Sequence, residues 1–280
     1  MAILYIVATP IGNLKDITLR TLETLASVDL VAAEDTRVAK KLLTAHGINK
    51  PLVSHHQHNC AQRDLEILGK LKAGEECALI TDAGTPLVSD PGHSLVAMCR
   101  TSGIPVVPVP GVSAAITSLS VNDFNASRFL FEGFLPAKQA ARIQRLKKLS
   151  VQEYAVILYE AKHRVMELLQ DVKRTFGADR NLMVARELTK VHEQIISGTV
   201  EQIIEQFEDQ TIPCRGEFVI LLQGDDGSLS RQQEEEKIKA LFSKITPMMA
   251  HRDAVELGLL MSTLQKNRLY SLASEYYDED

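Results

Sequence analysis

The feature that most constrains this chain is a short apolar run that ends in a loop of small residues and continues into a helix. Residues 78–92, ALITDAGTPLVSDPG, are the fullest example, and their first three residues have the character of a buried strand. Residues 89–91, Ser-Asp-Pro, are typical of a helix start, because Ser and Asp cap helices and Pro suits the first turn. This order of elements predicts either a ligand site at the carboxyl end of an α/β sheet or an ordinary connecting loop.

The same order of elements occurs twice more in the first half of the chain. Apolar runs that begin at Leu4 and Ile104 each lead into a turn of small residues. Strand and helix patterns alternate again from Phe129 onwards. We therefore predict two α/β domains with a cleft between them, bordered by the three loops. The predicted boundaries are 1–122 and 123–225 for the two domains, and 226–280 for a linker and a small helical C-terminal tail.

Composition limits the class of protein and its surroundings. The chain has 280 residues, 45% of them hydrophobic, which suits about two globular domains. No apolar run approaches the roughly 20 residues that a membrane span needs. The four cysteines form no Cys-x-x-Cys pair, so we expect free thiols in a reducing cytoplasm. The net charge is −5, so contact with nucleic acid requires a local basic patch.

Several nucleotide-binding and hydrolase motifs are missing from the sequence. No Gly-x-Gly-x-x-Gly follows the first predicted strand, and neither a P-loop nor Gly-x-Ser-x-Gly is present. The run His55-His56-Gln57-His58, close to Cys60, crowds metal-capable side chains into one loop. A structural zinc site needs separated ligand pairs on a rigid frame. We therefore expect no metal here, and a polar loop at the mouth of the cleft.

Charged residues follow several of the predicted strands. Residues 34–37 are Glu-Asp-Thr-Arg. They fit two interpretations equally well: a substrate-facing cluster in which Arg binds a phosphate, and a helix N-terminus, where carboxylates are favoured. Residues 159–164 and 186–190 place Arg and Lys beside an acidic residue in the second domain. Together with the basic helix over 142–148, they predict either a basic wall for a polyanion or solvated surface charge.

Seven runs of residues occur in order over most of residues 1–225. They are TPIGNLKDITLRTLETL at 9–25, EDTR at 34–37, SHHQHN at 54–59, DAGTPLVSDPG at 82–92, VPVPGVSA at 107–114, FEGFLP at 131–136 and ELTKVHE at 187–193. Taken together they resemble the tetrapyrrole methylase superfamily, and within it the branch that methylates ribosomal RNA. Lys162 departs from that branch, which often has Pro at the equivalent position.

The resemblance implies two α/β domains without a Rossmann nucleotide site, a homodimer, and S-adenosylmethionine bound in the cleft. It also implies 2′-O-methylation of a cytidine ribose in the 16S rRNA of the small ribosomal subunit. A methyltransferase acting on a small tetrapyrrole and a non-enzymatic module that binds RNA or the ribosome remain as alternatives. By family analogy, the cofactor-binding residues are Pro10, Gly12, Asp82, Ala83, Gly84, Thr85, Ser113, Ala114, Leu158, Arg215 and Gly216.

The chemistry that the resemblance implies needs a proton acceptor and positive charge. A ribose hydroxyl is a weak acid, so a base or a cationic neighbour assists its attack on a methyl donor. Glu34, Asp35 and Glu187 are candidates for accepting the proton, and Arg37 and Lys190 for electrostatic help. An acidic protein needs a concentrated positive field to bind a polyanion. The residues expected to hold the RNA backbone are Arg37, Arg164, Arg186 and Lys190.

Overall fold

The computed structural model describes residues 2–57, 59–245 and 248–277. Two five-stranded sheets dominate this part of the chain, and every strand of the first sheet runs parallel to its neighbours. The first sheet has the strand order β3-β2-β4-β1-β5. Its strands are β1 (Leu4–Val7), β2 (Leu30–Ala33), β3 (Leu52–Ser54), β4 (Cys77–Ile80) and β5 (Val106–Val109).

Helices cover both faces of the first sheet. Alternate residues of β4 enter different apolar clusters, Cys77 and Leu79 on one face and Ala78 and Ile80 on the other, and all four are buried. A strand buried on both faces must be apolar throughout, which explains the unbroken runs in the sequence. The helical elements are a 3₁₀ turn (Leu14–Asp16), α1 (Leu19–Ser27), α2 (Thr36–Ala45), α3 (Cys60–Lys72), α4 (His93–Thr101) and α5 (Ala114–Leu119).

The second sheet is mixed. Its order is β6-β7-β10-β8-β9, with β6 parallel to β7 and the other neighbours antiparallel. One face packs on its own helices. The other face contributes Ile157, Met183 and Val219 to a cluster with Ile11 and Ala115 of the first domain. The elements are β6 (Phe129–Phe134), α6 (Gln139–Leu149), β7 (Ala155–Ala161), α7 (Val165–Phe176), β8 (Asn181–Arg186), β9 (Gln194–Thr199), α8 (Val200–Glu208) and β10 (Glu217–Leu222).

Three further helices follow the second sheet: α9 (Ser228–Ile245), α10 (His251–Met261) and α11 (Lys266–Ala273). They enclose a small apolar cluster around Phe242 and Leu269. The linker predicted at the start of residues 226–280 is limited to its first residues, because α9 already begins at Ser228. Buried Asp225 supports that start by accepting the backbone N–H groups of Leu229 and Ser230. No helix in the described ranges is long and apolar enough to cross a membrane.

The loop after β4 differs from the helix start that the sequence predicts. Helix α4 begins at His93, and its N-cap is Gly92, with φ of 128°, rather than Ser89 or Asp90. Leu87 and Ser89 adopt left-handed backbone angles, with φ of 73° and 72°. The chain therefore makes an extra excursion before α4. A Cβ at Gly92 would overlap the side chains of Leu79 and Leu87, which explains why this turn requires glycine.

Candidate functional site

A cleft of about 400 Å³, here called the central cavity, lies where the carboxyl ends of the first sheet face the second sheet. Its volume is within the range of about 300–1,000 Å³ typical of small-ligand sites. Loops of the first domain form one side, and residues of β6, β7, β8 and β10 form the other. Its lining includes Ile11, Glu34, Thr81, Asp82, Ala83, Gly84, Thr85, Val88, Ser89, Asp90, Ser113, Ala114, Phe134, Tyr159, Glu160, Leu188, Glu217 and Val219.

The three small-residue loops meet at this edge, as the repeated pattern predicts. Thr9 and Gly84 exchange two backbone hydrogen bonds, at 2.9 and 3.1 Å. The Thr9 hydroxyl donates to the carbonyl of Thr81 at 3.1 Å, and the Thr85 hydroxyl donates to the carbonyl of Val112 at 3.2 Å. The loops after β1, β4 and β5 are therefore one hydrogen-bonded unit, which gives the cavity a rigid wall.

Three carboxylates of the first domain, Glu34, Asp82 and Asp90, line the central cavity. Within the described ranges none of them forms an ion pair, although Glu34 accepts the Thr81 hydroxyl at 2.8 Å and Asp82 accepts the Asp35 N–H at 3.0 Å. Burial raises the pKa of Asp90 to about 6, and the charges of Glu34 and Asp82 add to this shift. Burial also raises the pKa of Asp82. Such a cluster favours a cationic ligand, because a positive charge relieves the mutual repulsion of the carboxylates.

A second cavity of about 420 Å³, here called the side cavity, adjoins the first. The residues that line both cavities are Ile11, Thr81, Asp82, Ala83 and Glu217. Since Asp82 and Ala83 belong to both linings, the start of the loop after β4 is the partition between two compartments of similar size. The residues found only in the side cavity's lining are Thr9, Pro10, Gly12, Leu14, Val38, Ala39, Lys41, Leu42, Ile80 and Lys190.

The turn after β8 closes the side cavity from the second domain. The Lys190 ammonium donates to Glu187 Oε1 and Glu217 Oε2, both at 2.9 Å. Burial alone would lower the pKa of Lys190, but these two carboxylates outweigh it and raise that pKa. Burial likewise acts to raise the pKa of Glu187, but the hydrogen bonds from Lys190 and the Glu217 N–H lower it below its ordinary value. Lys190 is therefore a fixed, protonated cation at neutral pH.

Two glycines permit this arrangement. A Cβ at Gly12 would overlap the Lys190 side chain, and a Cβ at Gly216, where φ is 93°, would overlap the Glu187 carboxylate. The turn also contains two left-handed non-glycine residues, Glu187 and Thr189, with φ of 51° and 65°. Backbone strain of this kind is found where surrounding contacts hold a functional loop in place.

The residues predicted to bind the cofactor fall into three groups. Leu158 is fully buried in the core of the second domain, and Arg215 and Gly216 form the turn before β10, next to Glu187. Pro10 and Gly12 line the side cavity alone. The residues that line the central cavity are Asp82, Ala83, Gly84, Thr85, Ser113 and Ala114.

The residues predicted for catalysis are also divided. Glu34 lines the central cavity, and Lys190 lines the side cavity. Asp35 is the N-cap of α2 and accepts the Arg37 N–H at 2.8 Å, so the helix-terminus interpretation describes this residue. The hydrogen bonds from Arg37 lower the pKa of Asp35 to about 2. The Arg37 side chain is 87% exposed, which leaves much of its guanidinium surface open to a ligand.

Two arginines predicted to hold RNA are engaged within the protein. Arg186 is 7% exposed and donates to the carbonyls of Arg215 (2.6 Å) and His192 (3.1 Å) and to the Gln194 side chain (2.9 Å). Arg164 donates to the carbonyl of Leu135 at 2.9 Å and lies 3.2 Å from the buried Glu160 carboxylate. Their structural partners disfavour direct contact with a polyanion.

The basic helix and the histidine loop also differ from expectation. Arg142 is fully buried and pairs with the buried Asp171 at 2.8 Å, so it contributes nothing to a basic surface. His55 lies beneath the surface, 1% exposed, with its Nε2 2.7 Å from the Asp64 carboxylate. It therefore braces β3 against α3 instead of forming a polar loop. His58 lies outside the described residues, and the described ones contain no group of three or more metal-capable side chains.

Sequence reasoning missed several residues of the site. Tyr159 accepts the N–H of Ala115 at 3.0 Å and so links β7 to the start of α5 across the cleft. The rings of Phe131 and Phe134 pack edge-on against it, with centroids at 5.1 and 5.7 Å. Asp90 lines the central cavity and does not cap α4, contrary to the helix start that the sequence predicts. The signals in the sequence are the position of Asp90 in a small-residue loop and of Tyr159 near the end of an apolar run.

Comparisons with known proteins agree with this geometry. Among solved structures, the fold resembles diphthine synthase with a TM-score of 0.61 and 12% identity, covering 79% of this chain and 90% of that one. It also resembles a uroporphyrin-III C-methyltransferase from Thermus thermophilus, complexed with S-adenyl homocysteine, with a TM-score of 0.56 and 15% identity over 83% of this chain and all of that one. At these identities the likeness establishes the fold, and it confirms the predicted pair of α/β domains with a helical tail.

Sequence relatives define the family. Residues 3–204 match the family described as Tetrapyrrole (Corrin/Porphyrin) Methylases. A protein of Synechocystis sp. named Ribosomal RNA small subunit methyltransferase I is 44% identical over 280 residues, covering 98% of each chain. Its namesake in Escherichia coli O157:H7 is 42% identical, covering 97% of this chain and 94% of that one. The chain belongs to the tetrapyrrole methylase family, and the resemblance drawn from its seven motifs is confirmed.

Proposed function

We propose that this protein transfers a methyl group from S-adenosylmethionine to the 2′-hydroxyl of a cytidine ribose in 16S rRNA. The observation that carries the proposal is the pair of cavities that meet at Asp82 and Ala83, because methyl transfer brings two substrates into contact and adjoining cavities can hold one each. The relatives named Ribosomal RNA small subunit methyltransferase I support the reaction and the type of RNA.

The central cavity fits S-adenosylmethionine in size and charge. That cofactor carries a positive sulfonium and a positive ammonium group, and the cavity presents the carboxylates of Glu34, Asp82 and Asp90 without a cationic partner among the described residues. Ala114 and Val219 supply apolar surface for a flat base, and the small residues of the loops allow close approach to the backbone. We assign the cofactor to this cavity.

When bound, S-adenosylmethionine supplies an activated methyl group, so the protein mainly has to align the acceptor oxygen and remove its proton. Asp82 borders both cavities, and its raised pKa makes it a better proton acceptor than the pKa-lowered Glu187. The N–H of Asp35 holds the Asp82 carboxylate in place. Lys190 stays charged, but Glu187 and Glu217 already neutralise it, so we assign it mainly a structural role in the wall of the side cavity.

The RNA partner is proposed to be the small ribosomal subunit or its 16S rRNA, in the cytoplasm, and the protein is proposed to be a homodimer. Dimerisation rests on family likeness alone. Light scattering at micromolar concentration should give the mass of two chains, and the mass of one chain would refute it. The domain boundaries at 122 and 225 are likewise proposed, and limited proteolysis near them would test these positions.

Methyl transfer from radiolabelled cofactor to isolated small subunits, followed by mapping of the label, tests the reaction. Asp82→Asn keeps an oxygen that can accept the Asp35 N–H but cannot take a proton, so kcat should fall at least about 100-fold. Calorimetry with S-adenosylhomocysteine, which lacks the transferable methyl, should show a much smaller loss of affinity for Asp82→Asn than for Asp82→Ala. If the parent protein bound no cofactor, a non-enzymatic RNA-binding role would replace this proposal.

A further inference from the structure

The side cavity carries residues that neither the family analogy nor the cofactor explains. Leu14 of the 3₁₀ turn and Val38 and Lys41 of α2 line it, and they lie on the first domain opposite Lys190. Leu14 and Val38 are 48% and 38% exposed, which is high for apolar residues that line a concave surface. An exposed apolar lining of this kind favours a planar or apolar group of a ligand.

Free positive charge surrounds this cavity on the same domain. Arg37, Lys40 and Lys41 occupy the exposed face of α2, and Lys15 lies next to Leu14 in the 3₁₀ turn. The three lysines form no ion pair with any residue in the ranges 2–57, 59–245 and 248–277. Of these four cations, Arg37 alone has an ion-pair partner among the described residues, Asp35, and its side chain remains 87% exposed. These cations therefore remain available to a polyanion.

We propose that the side cavity receives the target nucleoside of a single-stranded RNA, and that the exposed cations of α2 and the 3₁₀ turn hold the phosphates on either side of it. This inference rests on the proposed methyl transfer and adds the place of the acceptor. Single-stranded RNA can turn a nucleotide out of its stack into a pocket, and its backbone needs cations along the rim. The side cavity of about 420 Å³ shares Asp82 and Ala83 with the central cavity, so the donor and the acceptor would meet at these residues.

The test compares two double variants with the same change of charge. Lys40→Ala with Lys41→Ala removes two cations from α2, and Lys147→Ala with Lys148→Ala removes two exposed cations from α6, which lines neither cavity. The α2 variant should bind 16S rRNA roughly tenfold more weakly at low salt, with a salt slope shallower by about 1.4. The α6 variant should keep the parent's RNA affinity and salt slope. Both double variants should bind S-adenosylhomocysteine as the parent does.

A third variant tests the cavity itself. Val38→Phe narrows the side cavity from an exposed position on α2, so the fold should tolerate it. We expect methyl transfer to fall at least about tenfold, while affinity for S-adenosylhomocysteine and the salt slope of RNA binding stay at parent values. Retained transfer by Val38→Phe would overturn the placement of the nucleoside.

The outcomes separate this inference from the reaction itself. If the parent methylates RNA and the α2 variant binds RNA like the parent, the inference fails and the proposed function stands. If the α6 variant alone loses RNA affinity, the RNA lies on the second domain and the inference is again wrong. If the α2 variant or Val38→Phe instead dissociates a dimer in light scattering, the surface is an interface between two copies. If the parent transfers no methyl group, the proposed function fails, and the salt slopes still decide where RNA binds.

Discussion

Several charged side chains of the second domain have partners within the protein, whereas the cleft carboxylates and two lysines of α2 in the first domain form no ion pair with any described residue. In the second domain Arg142 pairs with Asp171, Arg164 with Glu160, and Lys190 with both Glu187 and Glu217. In the first domain the cleft carboxylates Glu34, Asp82 and Asp90, together with Lys40 and Lys41, have no ion pair within the described ranges.

The difference separates charges that support the fold from charges open to a ligand. A paired and desolvated group has already formed the interactions that a ligand would offer, so it contributes mainly to structure. An unpaired carboxylate with a raised pKa is typical of a functional site, because only a ligand can supply the missing partner. Five predictions test this contrast, from the largest expected effect to the smallest.

The largest effect should come from Asp171→Ala. This change leaves the buried Arg142 without its closest carboxylate, and breaking a fully buried pair costs about 3–5 kcal/mol. Urea unfolding should show a loss of stability in that range. The control is Glu167→Ala, since Glu167 meets the same guanidinium at 3.3 Å with a side chain that is 67% exposed, and should cost under about 1 kcal/mol. Equal effects of the two variants would contradict the contrast.

Arg186→Ala should have the next largest effect. It removes three hydrogen bonds that fix the turn after β8 against the turn before β10, at a cost of about 2 kcal/mol. The control in thermal unfolding is Arg37→Ala, which should unfold close to the parent's melting temperature because its ion pair is exposed. If Arg186→Ala kept full stability but flattened the salt dependence of RNA binding, this arginine would belong with the ligand-binding charges.

Asp90 should make cofactor binding depend on pH. With a pKa of about 6 in the folded protein, Asp90 is neutral below that pH and charged above it. Affinity for S-adenosylmethionine should therefore rise as the pH increases from 5 to 7, with release of a proton. Calorimetry in two buffers of different ionisation enthalpy measures the number of protons released on binding. In Asp90→Asn the affinity should depend much less on pH. If the affinity still rose with pH as in the parent, another group would be responsible for the pH dependence.

The same carboxylate gives a smaller effect on stability. The pKa of Asp90 is about 6 in the folded protein and 3.8 ordinarily. Between these two pH values the folded state keeps a proton that the unfolded state has released. The ligand-free parent therefore loses stability as the pH rises from about 4 to about 6, and the loss is complete above that pH. Asp90→Asn should be more stable than the parent by about 1 kcal/mol at pH 7, after allowance for solvent screening, with the difference fading towards pH 4.

The smallest effect on stability should come from the α2 cations. Lys41→Ala removes an exposed side chain without an ion pair among the described residues, so urea unfolding should change by less than about 0.5 kcal/mol. A loss above about 1 kcal/mol would mean that Lys41 supports the fold, and α2 would then resemble the second domain in this respect.

Sequence alone determined the parts of this protein that depend on local pattern. The apolar runs predicted strands from Leu4 and over residues 78–80, where β1 and β4 lie, and the renewed alternation from Phe129 predicted the start of β6. The small-residue loops marked the edge of the sheet where the cavities lie. These predictions succeed because strand burial, helix periodicity and turn composition are set by residues a few positions apart.

Only the tertiary structure decided which charges are paired and how the cleft is divided. Arg142 and Asp171 are 29 residues apart in sequence, and Arg186 reaches the carbonyl of Arg215 across the same separation. The partition at Asp82 depends on loops that join through Thr9 and Gly84, far apart along the chain. Ion pairing and the division of the cleft follow from strand order and packing, which no local sequence pattern encodes. A basic residue at a strand end therefore has the same sequence signature whether it binds a phosphate or a buried carboxylate.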